Sequence, residues 1–163
     1  MRRIRLYALL AAALLLARLL PMQGHDVAGL LPVQVLVVRR DEQGVLLTCD
    51  HGVSGRGESF SAALDDLERS APGALFLDTA EHLVLASGAW DLAREAVECG
   101  RFRPAAKLYL GQGTLPEEQA LAAYLRAHPG RVTLAQLQAA LLRQENVIPP
   151  RLICREGRMH LAN

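Results

Sequence analysis

The chain has 163 residues, of which 51% are hydrophobic and only 4% aromatic, and its 18 Lys and Arg residues against 17 Asp and Glu residues give a formal net charge of +1. This length suits one compact domain, and the apolar content excludes a wholly disordered chain. The near-zero charge argues against a nucleic-acid-binding protein, because such proteins concentrate excess positive charge on one face. From Gly24 onward, 14 Lys and Arg residues stand against 17 Asp and Glu residues, a difference of −3, so the part that folds in water is mildly acidic.

The N-terminus has the pattern of a targeting segment. Three arginines lie within the first five residues, and an uninterrupted apolar run follows from Leu6 to Ala17. That run fits the hydrophobic region of a signal peptide better than a spanning helix, which needs about 20 apolar residues. More apolar residues follow Arg18, however, so an uncleaved anchor stays open. We assign residues 1–23 to a signal peptide or N-terminal membrane anchor, and residues 24–163 to an extracytoplasmic domain, since the positive-inside bias keeps a basic N-terminus cytoplasmic.

The first predicted element of the domain is a β-hairpin. The β-branched run Pro32–Val38 leads into the polar turn Arg39–Gly44 and a second apolar run, Val45–Cys49. A glycine-containing loop over Asp50–Glu58 follows, and Ser59 is the expected cap of a helix. The apolar residues of this helix recur at helical spacing and predict one buried face, formed by Phe60, Ala63, Leu64 and Leu67.

Strands and helices then alternate along the chain. Leu75–Leu77 and His82–Leu85 are predicted strands, a helix opens at Ser87-Gly88 and runs to Glu98, and Ala106–Leu110 is the next strand. The order strand, helix, strand predicts a right-handed parallel crossover.

Two capping boxes predict the starts of the last two helices. The first is Thr114-Leu115-Pro116-Glu117, with its helix ending at His128-Pro129-Gly130, and the second is Thr133-Leu134-Ala135-Gln136, with its helix reaching Asn146.

A final short hairpin is predicted where Leu152–Cys154 and Met159–Leu161 flank Glu156-Gly157. The pattern as a whole predicts a single small α/β domain, with α+β as the alternative class. The domain is expected to have a mixed sheet, an N-terminal β-hairpin and about four helices, preceded by an N-terminal hydrophobic helix.

The most suggestive chemical group is the triplet Cys49-Asp50-His51, because a nucleophilic thiolate needs a base and the base needs an orienting acid. Adjacent side chains on a strand point to opposite faces, however, and working triads assemble groups from distant parts of a chain. We therefore predict no catalytic residue. A small exported enzyme that uses Cys49 or His51 is kept as an alternative.

The other candidate sites favour structural roles. Three widely spaced cysteines, Cys49, Cys99 and Cys154, suit neither a disulfide framework nor a zinc ribbon, so buried free thiols are expected. No two histidines have the i, i+4 spacing of a helical zinc site. The glycine-rich stretch 51–59 lacks the Gly-Lys-Ser/Thr ending of a phosphate-binding loop. No metal or cofactor is predicted.

A capped helix begins with Gly57-Glu58-Ser59 and continues with an alanine-leucine face to Leu67, and Ala74–Gly88 supplies two strands and a small-residue helix start. These stretches resemble the N-terminal domain of the Ger(x)C spore germination proteins, the C subunits of nutrient germinant receptors. Gly130–Leu137 and Val147–Leu152 are similar to that family's later capped helix and its proline-bearing exit. The resemblance covers most of the chain from Leu31 to Leu161.

The resemblance implies a non-enzymatic, membrane-associated component or accessory of a spore germinant receptor. Its partners would be the receptor's membrane subunits, and its location the spore inner membrane. Family members are usually lipoproteins with further domains, whereas no cysteine precedes Cys49 here, so anchoring would depend on the N-terminal segment or on partners. A cytoplasmic α/β domain with a structural N-terminal helix is the remaining alternative.

Overall fold

The computed structural model describes residues 29–155 and 157–162, so the predicted targeting segment and hydrophobic helix over residues 1–23 lie outside the described residues. The described chain is mixed α/β, with four α-helices, in agreement with the expected fold class. The strands are β1 (Leu30–Pro32), β2 (Val35–Asp41), β3 (Gly44–Cys49), β4 (Ser54–Gly57), β5 (Ala74–Phe76), β6 (His82–Ala86), β7 (Lys107–Gly113), β8 (Arg151–Arg155) and β9 (Arg158–Ala162). The helices are α1 (Phe60–Ser70), α2 (Leu92–Glu98), α3 (Glu118–Ala127) and α4 (Leu134–Arg143). None of these four helices combines the length and the apolarity needed to cross a membrane.

Seven strands form one mixed sheet in the order β4-β3-β2-β6-β7-β8-β9. Its four strands β2, β6, β7 and β8 are parallel to one another. At one edge of the sheet β3 pairs antiparallel with both β2 and β4, and at the other edge β9 pairs antiparallel with β8. The strands β1 and β5 form a separate two-stranded parallel sheet.

Both predicted hairpins are confirmed. In the first, β2 and β3 pair antiparallel, and the turn is shorter than expected because Arg39 and Arg40 continue β2. Gly44, with φ +116°, permits the tight return because most side chains avoid that backbone region. In the second, β8 and β9 pair antiparallel.

The predicted loop Asp50–Glu58 is wrong in part, because Ser54–Gly57 forms the edge strand β4. Two glycines make this strand possible, since a Cβ at Gly55 would overlap the backbone of Leu67 and Ala63, and one at Gly57 would overlap the start of α1. Glycine has weak strand propensity, so a local pattern does not reveal such a strand. The helix α1 itself begins as predicted, with Ser59 accepting a hydrogen bond from the amide of Ala62 at 3.2 Å.

Three predicted boundaries are corrected by the structure. The strand expected at Leu75–Leu77 ends at Phe76 and pairs with β1, and Leu77 begins a 3-10 turn. The helix expected from Ser87-Gly88 begins only at Leu92. The second capping box, at Thr133, is confirmed by both of its hydrogen bonds, although α4 ends at Arg143 rather than Asn146.

The capping box at Thr114 is wrong. The strand β7 continues to Gly113, so Thr114 leaves the sheet rather than entering a helix, and α3 begins only at Glu118. Glu117 precedes that start without a capping bond from its side chain. The next residue, Glu118, accepts a hydrogen bond from the hydroxyl of Thr48.

The core has one cluster of buried side chains on each face of the large sheet. The first cluster joins the sheet to α1, α2 and α4, and the second joins it to α3. Both faces of β2 are covered, because Leu36 and Val38 belong to the first cluster and Val35 and Val37 to the second. The domain is therefore a three-layer structure with three helices on one face and one on the other.

Replacing Gly55 with Ala should destabilise the domain by about 2–3 kcal/mol, because the added methyl group meets helix backbone that cannot move without separating α1 from β4. Urea unfolding would measure the change in the free energy of unfolding. The matched control is Ser54→Ala, an exposed position of the same strand, where about 0.5 kcal/mol or less is expected. Equal stability of the two variants would contradict the close approach of α1 to β4.

Candidate functional site

The structure places the predicted triplet Cys49-Asp50-His51 at the end of β3, with each side chain held separately. The carboxylate of Asp50 accepts backbone N–H groups of Gln34 and Val35, at 3.0 and 3.4 Å. His51 lies on the surface, where its Nε2 is 2.9 Å from the carbonyl oxygen of Pro32 and donates to it. These bonds tie the end of β3 to the segment that enters β2.

Cys49 is fully buried in the first core cluster. Burial raises the pKa of its thiol above the ordinary value, and the nearby Asp50 and Glu118 act in the same direction, although two backbone bonds oppose them. The thiol is therefore protonated at neutral pH, whereas nucleophilic catalysis needs the thiolate. Burial likewise raises the pKa of Cys99 and Cys154. All three cysteines are free, and Cys49 and Cys154 are buried as predicted, while Cys99 is half-buried.

The buried polar residue of the described interior is His82, the first residue of β6, which is only 4% exposed. Its Nδ1 is 3.2 Å from the hydroxyl of Tyr109, and this hydroxyl oxygen accepts the backbone N–H of Gly130 at 2.9 Å. Gly130 has no room for a side chain there, since a Cβ would lie 2.7 Å from the ring of Tyr109. A buried chain of bonds thus joins β6, β7 and the connection between α3 and α4.

The proton positions follow from these partners. Tyr109 stays protonated, since burial raises its pKa, so its O–H can donate to Nδ1 of His82 while its oxygen accepts from Gly130. Neutral His82 then carries its proton on Nε2. That atom is buried without a hydrogen-bond partner among the described residues, and the nearest carboxylate oxygen, from Glu81, is 3.8 Å away.

Burial also lowers the pKa of His82, with the positive charges of Arg103, Arg126 and Lys107 acting in the same direction and Glu81 opposing them. Protonation would place a hydrogen on Nδ1 and remove the acceptor that Tyr109 uses. The folded state therefore favours the neutral form of the His82 imidazole. Because Tyr109 is fully buried and His82 almost so, the hydrogen bonds among His82, Tyr109 and Gly130 stabilise the fold and do not form a site open to substrate.

A second polar group lies on the sheet face that α3 covers. The hydroxyl of Thr48 donates to Glu118 at 2.5 Å, and one guanidinium nitrogen of Arg39 reaches Thr48 at 2.9 Å and Glu118 at 3.3 Å. Beyond Arg39 a crevice of about 360 Å³ opens at the carboxyl ends of β2, β6 and β7. Ligands of open α/β sheets bind at this edge. The charges at this crevice are already paired, Arg39 with Glu118 and Arg40 with Asp91.

Among residues 29–155 and 157–162, no three His, Cys, Asp or Glu side chains are grouped so that they could hold a metal ion. In comparisons with known proteins, no family model, no curated protein and no solved structure matches the chain.

The stability of the protein should fall on acidification because of His82. The pKa of His82 in the folded state lies below its unfolded value of about 6.5, so the unfolded chain binds more protons as the pH falls. The stability that the neutral imidazole contributes is therefore fully present above about pH 6.5 and is lost progressively below it. Urea unfolding at about pH 7.5 and about pH 5.5 would measure this loss. In His82→Gln the loss should be smaller, whereas the exposed control His160→Gln should keep the wild-type dependence. An unchanged pH dependence in His82→Gln would show that other groups cause it.

Proposed function

We propose that this chain is a non-enzymatic, membrane-associated component or accessory of a spore germinant receptor, and that it acts through contacts with other proteins. Its partners are the membrane subunits of the receptor, and residues 1–23 deliver or anchor it on the outer side of the membrane. The proposal draws on the similarity of Gly57–Leu67 and Ala74–Gly88 to the first domain of Ger(x)C proteins. These residues form α1, β5 and β6 in the described domain.

We prefer protein contact to catalysis because the side chains of Cys49, Asp50 and His51 all have structural roles. Asp50 and His51 bind backbone groups around the entry to β2, and the thiol of Cys49 is buried and protonated. A nucleophilic mechanism needs the thiolate and a base free to take its proton. Asp50 and His51 instead bind the end of β3 to the segment that enters β2, and Cys49 packs in the first core cluster.

The location of the protein tests the receptor assignment. A C-terminally tagged copy, followed through growth and sporulation in its host, should appear only in forespores, in the membrane fraction, and should co-purify with receptor membrane subunits. A tagged copy without residues 1–23 should leave the membrane fraction, because the apolar run supplies the targeting. The mass of the mature N-terminus would separate cleavage from anchoring. A soluble protein present during growth would overturn the proposal.

The double variant Cys49→Ala with His51→Ala should keep its membrane location and its partner. We expect a loss of about 1–2 kcal/mol in unfolding free energy, because a buried sulfur atom and one surface hydrogen bond are removed. Urea unfolding measures that cost, and co-purification measures the function. Loss of germination with an intact fold and intact partner binding would favour the enzyme alternative.

A further inference from the structure

The carboxyl edge of the large sheet has a notch, because the inner strand β6 is shorter than both of its neighbours. The strand β6 ends at Ala86, opposite Gly111 of β7. Its neighbours run past this end, β2 as far as Asp41 and β7 as far as Gly113. The crevice of about 360 Å³ lies here and is lined from all three strand ends. Its volume is in the range of small-molecule sites, about 300–1,000 Å³.

The connections that leave β6 and β7 diverge at this crevice. From β6 the chain passes to α2, which packs in the first core cluster, and from β7 it passes first to α3, which packs in the second. The two helices therefore lie on opposite faces of the sheet. Ligands of open α/β sheets bind outside the carboxyl ends of the strands, in crevices that open where neighbouring connections leave toward opposite faces.

The polar side chains that line the crevice can all donate hydrogen bonds, and their only charges are positive. They are Arg39 and Arg40 at the end of β2, Ser87 after β6, and Thr114 after β7. Among the described residues, no Asp or Glu side chain lines the crevice. A lining of this composition is complementary to an anion.

Both arginines keep donors for a ligand, although each is already paired. A guanidinium group has five N–H donors. Arg39 uses a single nitrogen for its bonds to Thr48 and Glu118, and Arg40 uses a single nitrogen for its bond to Asp91. The side chains of Arg40 and Asp91 are 44% and 62% exposed. Because such exposed pairs contribute little, an anion in the crevice can take the place of Asp91.

The two guanidinium groups approach the crevice from opposite sides. Arg39 and Arg40 are consecutive on β2, so their side chains lie on opposite faces of the sheet. The first binds Glu118 of α3, and the second binds Asp91, which directly precedes α2. One arginine can hold both oxygens of a carboxylate, whereas a phosphate monoester presents three oxygens in different directions and carries a charge of about −1.5 to −2 at pH 7.

We propose that this crevice binds a small phosphate monoester. The phosphate group lies between Arg39 and Arg40, and the organic part of the ligand occupies the rest of the crevice beside Ser87 and Thr114. Bonds from two arginines in different directions match the tetrahedral shape and the charge of the phosphate group. The inference does not depend on the receptor assignment, because it concerns ligand binding by the purified protein alone.

Calorimetric titration of the full chain, purified in detergent, tests the proposal with glycerol 3-phosphate as the probe. The wild-type protein should bind one equivalent. Arg40→Gln should weaken binding by about tenfold or more, because it removes a charged donor from the phosphate group. The matched control is Arg143→Gln, which removes the same charge from an exposed position of α4 outside the crevice and should bind as the wild type does.

A second variant should change the affinity in the opposite direction. Asp91→Asn should tighten binding by about threefold, because it removes the carboxylate that competes for Arg40. Damage to the fold would not produce a gain in affinity. Far-ultraviolet circular dichroism checks that each variant is folded.

Two further probes distinguish the ligand class. Inorganic phosphate should bind more weakly than glycerol 3-phosphate, because it leaves much of the crevice empty. Glycerate, a carboxylate with a similar organic part, should bind more weakly by about tenfold or more. The proposal would be overturned by a wild-type protein that does not bind glycerol 3-phosphate, by equal affinities of Arg40→Gln and Arg143→Gln, by weaker binding in Asp91→Asn, or by equal affinity for any two of the three probes.

Discussion

The burial of β2 on both faces is the constraint on which the rest of the architecture depends. Four consecutive residues from Val35 to Val38 have no exposed surface, and they alternate between the two core clusters. A strand with two apolar faces needs a covering layer on each side of the sheet. The helices α1, α2 and α4 provide one layer, and α3, which begins soon after the end of β7, provides the other.

Local patterns were sufficient where an element is determined by its own residues. The hairpins, the cap at Ser59 and the capping box at Thr133 carry their signals within a few positions, and the structure confirms them. The edge strand β4 was not indicated because its two glycines have weak strand propensity, although its partner β3 directly precedes it along the chain. The pairing of β1 with β5 joins segments that are far apart in sequence, so neither segment signals it by itself. At Thr114 the local pattern is misleading. The residues match a capping box, but β7 continues to Gly113 and no helix begins there.

Local sequence patterns predict the polar groups of the structure only in part. Adjacency in sequence drew attention to Cys49-Asp50-His51, yet these side chains have separate structural partners. The sequence indicates His82 as the start of an apolar strand, and the alternation of side chains places it on the same face as Val84. Nothing local indicates that its imidazole has a buried hydrogen-bond partner. Its partner Tyr109 lies 27 residues away, and its position follows only from the pairing of β6 with β7.

The strand β7 holds Tyr109 of the buried polar chain and also binds the segments on either side of α4. Leu108 donates its backbone N–H to Val132 at 2.9 Å, and Leu110 donates to Pro150 at 3.0 Å. The segments before and after α4 are thus fixed to one central strand of the sheet. Glu145 adds a bond just after the end of α4, from its N–H to the carbonyl of Ala140 at 2.9 Å. An isolated helix as short as α4 is marginal in water, so its position depends on these bonds and on the packing of Leu134 and Leu137 in the first core cluster.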